Sequence, residues 1–323
     1  MSSKRVTIFV VTYNRIEYLK SAIESILNQS FEDFSLTVLD NCSNDGTDEY
    51  VKSIEDKRVN YIRHEYNLGG VGNISYAFEH CDGDYFAIFH DDDILHYNLL
   101  KEEIDYLDNH KNCAAVSCLS NNIDENGKYI KKINEKKYSE RIFCKDQFFD
   151  EYLNNQKSFT FPTTLYRTEF MKNKHINISQ NSGPCADVVL YMDIERNGGT
   201  IAEIPKALLD YRIYKNQDSS SHLEEMLIKL IKYLESDDYY GKLIEKDKQG
   251  RFKYFKWYFR RLIARETSKC INYNDAINYL NIMGQELKIP LHRYNKYERM
   301  LWVVDKFSGM ANLLYKLTKK VKK

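Results

Sequence analysis

The chain has 323 residues, enough for one large domain or two modest ones with a real buried core. Its 47 basic residues balance 47 acidic ones, and a formal net charge of zero excludes the electrostatic signature of a nucleic-acid binder for the molecule as a whole. Seven cysteines without a C-x-x-C pair, no N-terminal leader pattern and no run of about 18 apolar residues point to free thiols, a cytoplasmic setting and no membrane span.

Val6–Thr12 (VTIFVVT) is a near-continuous apolar run rich in β-branched residues, which predicts a strand buried on both faces. Asn14 is placed to cap a helix over 15–29, whose apolar residues at 16, 19, 23, 26 and 27 fall in helical register. A second strand over 36–39 ends at Asp40, and Asn44-Asp45-Gly46-Thr47 reads as a turn into a helix capped by Thr47 or Asp48. A strand over 59–63, the loop Asn67-Leu68-Gly69-Gly70 and a helix to about Glu79 follow. Then come a strand over 85–89 running into His90-Asp91-Asp92-Asp93, a helix over 98–109 and a strand over 114–119.

This alternation over the first 120 or so residues predicts an α/β fold, a doubly wound and mostly parallel sheet flanked by helices. Such sheets bind ligands beyond the C-terminal ends of their strands, where Thr12-Tyr13-Asn14, Asp40-Asn41 and His90–Asp93 converge. From 121 to 218 the pattern is less regular, punctuated at Pro162, Gly183-Pro184, Gly198-Gly199 and Pro205, and reads as short strands, loops and one helix over 186–197 that completes the domain. From His222 onward it is helical. The domain reading is therefore 1–120 as a ligand-binding α/β half, 121–220 as the second half of the same domain, and 221–323 as a helical region, with a boundary near 218–222.

Three adjacent carboxylates at a strand end repel one another, and are stable there if solvated or if a cation neutralises them. Hard oxygen donors at 91–93 suit Mg²⁺ or Mn²⁺, whereas the glycine and distal glutamate of an EF-hand are missing. The other reading of the triplet is a solvated acidic loop.

The order of these segments resembles the family-2 glycosyltransferases of the A-type (GT-A) fold. VTIFVVTYNR is similar to that family's opening strand and Y-N-R turn, and ESILNQSFEDFSLTVLDNCSNDGT to its S-I-L-x-Q helix and D-(D/N)-x-S-x-D-G-T loop. NLGGVGN resembles its N-x-G loop, and CDGDYFAIFHDDDIL its G-D-Y and metal-binding D-x-D segments. The likeness covers about residues 5–120, extends weakly to about 215 and does not reach the last hundred or so. It implies that Val11, Thr12, Tyr13, Asp40, Asn41 and Asn67 line the nucleotide-sugar site, and that Asp91, Asp92 and Asp93 hold a Mn²⁺ or Mg²⁺ ion bridging the donor diphosphate. Asp187, in a segment resembling the family's E-D motif, is the implied catalytic base.

Departures from the family pattern are His90 for an aspartate, Asn41 for a carboxylate, Gly72 for an arginine, Ala186 for the first acid of E-D, and Tyr214 for a histidine. Phe161-Pro162-Thr163-Thr164 and Arg167 resemble the acceptor-side wall, though Arg167 also suits a surface ion pair.

The implied activity is inverting transfer of a sugar from a UDP- or dTDP-sugar to a hydroxyl of a glycan or lipid-linked acceptor in surface polysaccharide synthesis. The alternatives are a nucleotidyltransferase-like enzyme or a catalytically silent nucleotide-sugar-binding protein. Residues 250–265 (GRFKYFKWYFRRLIAR) and the Lys-rich segment 301–323 form basic, aromatic helices. They suit either a peripheral membrane surface, or a helical bundle with a solvated basic face and a homo-oligomer contact.

Overall fold

The structure, a computed structural model, describes residues 4–155, 157–178, 185–214, 223–268 and 271–306. The expected boundary at 218–222, the Gly183-Pro184 turn, His222 and the Lys-rich segment after 306 lie outside the described residues.

The chain divides into two units. The first comprises residues 1–148, 158–180 and 186–217, the second 149–157, 181–185 and 218–323. The first begins with β1 (Val6–Thr12), α1 (Ile16–Leu27), β2 (Phe34–Asp40), α2 (Thr47–Lys52), β3 (Val59–Arg63), α3 (Gly69–His80) and β4 (Tyr85–His90). It continues through β5 (Ile94–Leu95), α4 (Leu99–Asn109), β6 (Cys113–Ile123), β7 (Tyr129–Lys131) and β8 (Arg141–Phe143). After α5 (Gln147–Asn155), which ends in the second unit, come β9 (Thr164–Arg167), α6 (Thr168–Asn173), α7 (Ala186–Arg196) and β10 (Thr200–Arg212).

The strands form one ten-stranded sheet in the order β3-β2-β1-β4-β9-β6-β10-β5, with β7 on β6 and β8 on β10. The long ladders, β1 with β2 and β4, β2 with β3, and β6 with β10, are parallel. β9 enters antiparallel between β4 and β6 and makes the sheet mixed. The continuous apolar run of β1 is explained by burial on both faces. Val6, Ile8 and Val10 on one face share a core cluster with Leu19, Ile23 and Ile26 of α1 and Leu100, Ile104 and Leu107 of α4, and Phe9 on the other face is 2% exposed. On a separate aromatic contact, Phe78 of α3 meets Phe86 of β4 and Tyr166 of β9.

The helix starts differ from expectation. Asn14 does not cap α1, for it sits at φ 53°, and the first helical N–H, that of Ile16, is met instead by Asp45 Oδ2 at 2.9 Å. The same carboxylate accepts from the Thr47 hydroxyl and N–H at the head of α2, while Gly46 supplies the left-handed turn before it. One aspartate thus satisfies orphan donors of two helices that flank the sheet's C-terminal edge.

The second unit carries α8 (Leu223–Ser236), α9 (Asp238–Lys246), α10 (Lys248–Thr267), α11 (Tyr273–Glu286) and α12 (Leu291–Lys306). The aromatics of the basic stretch turn inward: Tyr254, Phe255, Tyr258 and Phe259 of α10 are buried, with Lys253 and Lys256 left to solvent. That is the bundle packing of the second reading, while Phe252 and Trp257 of the same helix are half-buried. No described helix is long and apolar enough to cross a membrane.

Candidate active site

β1, β2 and β4 are in register, Thr12 opposite Asp40 and Val11 opposite His90, so their exits share one edge. β1 is buried until Val11, which is half-buried, and Tyr13 beyond it is 46% exposed. An apolar strand that opens only at its last residues is the local signature of a cleft wall.

Asp40 is fully buried and already engaged, its Oδ1 accepting the Ser43 N–H at 2.8 Å and its Oδ2 the Tyr61 hydroxyl at 2.6 Å. Asn41 is likewise committed: its amide oxygen accepts the Leu68 N–H and its NH₂ donates to Asn67 Oδ1. Both residues are therefore held in place at the strand exit, and Asn41 and Asn67 are brought together as a clasp holding the Asn67-Leu68-Gly69 loop against β2. The Asn41 oxygen, expected to line the nucleotide-sugar site, is occupied by an intramolecular donor.

The acidic run gathers around Arg15. Asp91 Oδ2 accepts the Thr12 hydroxyl at 2.7 Å, and Arg15 reaches Asp91 at 3.4 Å and Asp92 at 3.0 Å. The Tyr214 hydroxyl donates to Asp92 Oδ2 at 3.1 Å, and the Arg15 guanidinium lies 5.3 Å from the Tyr214 ring centre. Arg212 closes the other side. Its backbone N–H donates to Asp93 Oδ1 and its Nε to the Asp92 carbonyl, while its Nη1 holds the carbonyls of Asp124 and Glu125.

Desolvation, then the neighbouring Asp92, push the Asp91 carboxyl up to about 7 against the pull of Arg15 and Thr12. Burial raises Asp93 well above the usual carboxylate range and lowers His90, favouring its neutral imidazole.

These features test whether a divalent ion fits. His90, Asp92 and Asp93 each offer one ligand atom, all within 4.8 Å of one another, and Asp93 Oδ2 is buried with no hydrogen-bond partner among the described residues. A buried, unpartnered carboxylate oxygen in a cluster of three ligand-bearing side chains fits a divalent cation. The cluster differs from the expected set, because His90 joins Asp92 and Asp93 and Asp91 does not. Asp91 is turned instead to Thr12 and Arg15.

Asp187 heads α7. The helix is fastened to β9 by the Tyr191 hydroxyl on Thr164 Oγ1 at 2.8 Å. Asp187 is half-buried, and desolvation holds its carboxyl up at about 6 despite the N–H groups of Val188 and of its own residue. No hydrogen bond ties it to the His90–Asp93 cluster among the described residues. Phe161 stacks on the His90 ring at 5.8 Å, which places part of the expected acceptor wall beside the acidic run. Arg167 is elsewhere: it pairs in register with Tyr85, at the entry of β4, and binds the carbonyls of Cys113, Leu107 and His110.

Sequence reading did not single out Arg15, Arg212 or Asp45. The arginine of the Y-N-R turn was visible, but its reach to Asp91 and Asp92 depends on pairing across 76 and 77 residues.

The family model described as glycosyl transferase family 2 matches residues 7–179. An uncharacterized glycosyltransferase of Methanocaldococcus jannaschii is 30% identical over 229 residues, covering 70% of this chain and 76% of its own length. The GalNAc(5)-diNAcBac-PP-undecaprenol beta-1,3-glucosyltransferase of Campylobacter jejuni is 27% identical over 178 residues, 53% of this chain and 57% of that protein. Among solved structures, S. aureus TarS 1-349 in complex with UDP-GlcNAc aligns with a TM-score of 0.67 at 17% identity, covering 94% of this chain and 91% of that one. The mannosyltransferase PcManGT from Pyrobaculum calidifontis in complex with GDP-Man and Mn²⁺ aligns at 0.57 and 14%, over 99% and 89%. At such identities the structural likeness is one of fold, while the family match spans more than half of the sequence. The chain belongs to the family-2 glycosyltransferases.

Proposed function

We propose that the chain transfers a sugar from a UDP- or dTDP-sugar to a hydroxyl of a glycan or lipid-linked acceptor, with inversion, in the assembly of a surface polysaccharide. The observation that carries this reading is the cluster of half-buried His90 with buried Asp92 and Asp93, with an Asp93 oxygen unpartnered among the described residues, at the strand exit. The solved relatives with UDP-GlcNAc and with GDP-Man and Mn²⁺ support a nucleotide-sugar donor in this fold.

Val11 and the exposed ring of Tyr13 line the base, on a rim that Asp40, Asn41 and Asn67 hold in shape. Thr12 orients Asp91 toward the ribose. Arg15 offers guanidinium donors to the diphosphate from its place beside Asp91 and Asp92. His90, Asp92 and Asp93 would hold a Mn²⁺ or Mg²⁺ ion, which would supply positive charge against the leaving diphosphate. Asp187 takes the proton of the acceptor hydroxyl as its oxygen attacks the anomeric carbon, the C–O bond to the diphosphate breaks, and the electron pair leaves with the nucleotide. A single displacement inverts the anomeric configuration.

The test is release of nucleoside diphosphate from a panel of UDP- and dTDP-sugars with hydroxyl acceptors in Mn²⁺, with the product anomer read by NMR. Transfer with inverted configuration is expected. Retention of configuration, or full transfer in Asp187→Asn, removes the proposal.

A further inference from the structure

We propose that the β6–β7 hairpin, together with the exit of β10 beside it, docks the catalytic unit on an anionic lipid surface. The idea goes beyond the donor chemistry and does not depend on it.

Every residue of β7 is exposed, with Ile130 at 58% and Tyr129 at 41%. Lys128, Lys131 and Lys132 flank them, and Lys136 and Lys137 follow, all exposed. None of these five lysines makes an ion pair among the described residues, and the Lys132 ammonium lies 3.8 Å from the Tyr129 ring centre. Glu135, which accepts the Ala207 N–H, and Glu125 are exposed beside them, so residues 125–137 carry five lysines against two acids. Asp124 accepts the N–H groups of Asn126 and Lys128, and Glu140 the Tyr106 hydroxyl. The tip keeps a net positive charge although the whole chain is neutral.

A second exposed isoleucine adjoins it. Ile213, 37% exposed, donates its N–H to the Ile123 carbonyl, and Ile123 pairs with Tyr129 on its other side. Ile213 and Tyr129–Ile130 thus stand two strand spacings apart, about 10 Å.

The exposure belongs to a fixed element. Asp124 and Lys128 close the turn through a 2.8 Å backbone bond, Tyr129 donates to Asp210 at 2.9 Å, and Arg212 clamps the Asp124 and Glu125 carbonyls. The same Arg212 binds Asp92 and Asp93, so the hairpin is continuous with the candidate site. Aliphatic side chains held in water beside an excess of lysines gain from hydrocarbon and anionic headgroups together, whereas a soluble polyanion would use only the lysines.

The full chain is floated with vesicles of phosphatidylcholine alone and with vesicles containing phosphatidylglycerol. Binding is expected only to the anionic vesicles. It should weaken about tenfold in Ile130→Ser and vanish in Lys131→Glu/Lys132→Glu, with melting temperatures unchanged because these side chains are exposed. An environment-sensitive dye on Ile130→Cys should shift to the blue on the same vesicles. No binding by the native chain, or binding unaltered by both variants, overturns the proposal. So does loss in the lysine variant alone with equal competition by heparin or RNA, which marks a polyanion site.

Discussion

Asp187 and Glu103 are both carboxylic acids raised by burial, yet their positions give them opposite consequences. Asp187 stands at a helix start with its carboxyl at about 6, and a base must be ionised to accept a proton. Activity should rise with pH through about 6 and level above it, as a kcat profile would read. Asp187→Asn should lose on the order of 10²–10⁴ in kcat while folding normally. Because the folded carboxyl is raised, its ionisation costs stability above about 6, and that cost disappears below the unfolded value near 4. The asparagine variant should therefore show a flatter dependence of melting temperature on pH. A loss of activity with a collapsed fold would assign Asp187 to structure. Glu103 is wholly buried among the apolar residues of α4, and apart from the Cys118 thiol no polar partner meets its carboxyl among the described residues. Desolvation raises it well above the usual range, so it holds its proton in the folded chain at pH values above about 4 where the unfolded chain has lost it. Stability falls as pH rises from there. Glu103→Met should gain about 1–3 kcal/mol at neutral pH and less in acid, by thermal melts across pH.

Among the elements, the turn into β4 tests how local backbone demands position the site. Gly83 sits at φ +77°, and a Cβ there would lie 2.5 Å from the Lys4 carbonyl oxygen and 2.8 Å from that of Arg5. Gly127, in the β6–β7 turn, has nearly the same φ, +81°, but its Cβ would find only an Arg212 nitrogen at 4.0 Å. Gly83→Ala should cost about 2–4 kcal/mol and Gly127→Ala about 1–2, measured by urea denaturation. Equal costs would show that conformation alone, without the backbone contact, sets the penalty. Gly83 was legible in sequence as part of G-D-Y, as were β1 to β4 and the acidic run, because buried parallel strands and their polar exits are local patterns. β7, β8 and β9 were legible only as short strands without positions. They are three or four residues long, and only pairing with distant strands gives them structure. The inward turn of the α10 aromatics was equally hidden, since a basic aromatic helix reads alike whether its rings face a bundle or a bilayer. Asp45 shows the same limit from the other side: its sequence place marks a turn, but its bond to Ile16, 29 residues away, is tertiary.

For the molecule as a whole, a cation that binds the folded chain and not the unfolded one raises its melting temperature by mass action. Here the donor set decides which cation. Two carboxylates alone would suit Mg²⁺, whereas the neutral imidazole of His90 adds a nitrogen that favours later divalent metals such as Mn²⁺. Arg15 competes for the same oxygens through Asp92, so binding must displace part of an existing ion pair and will be weakened by it. Mn²⁺ should therefore raise the melting temperature more than Mg²⁺ at equal concentration. His90→Asp should narrow or reverse that preference. Asp92→Ala should abolish both shifts, and a chelator should remove the native chain's shift and its transferase activity together. If Asp92→Ala leaves the Mn²⁺ shift intact while Asp91→Ala removes it, the ion belongs to Asp91, and the His90–Asp92–Asp93 cluster is a buried polar network without a metal.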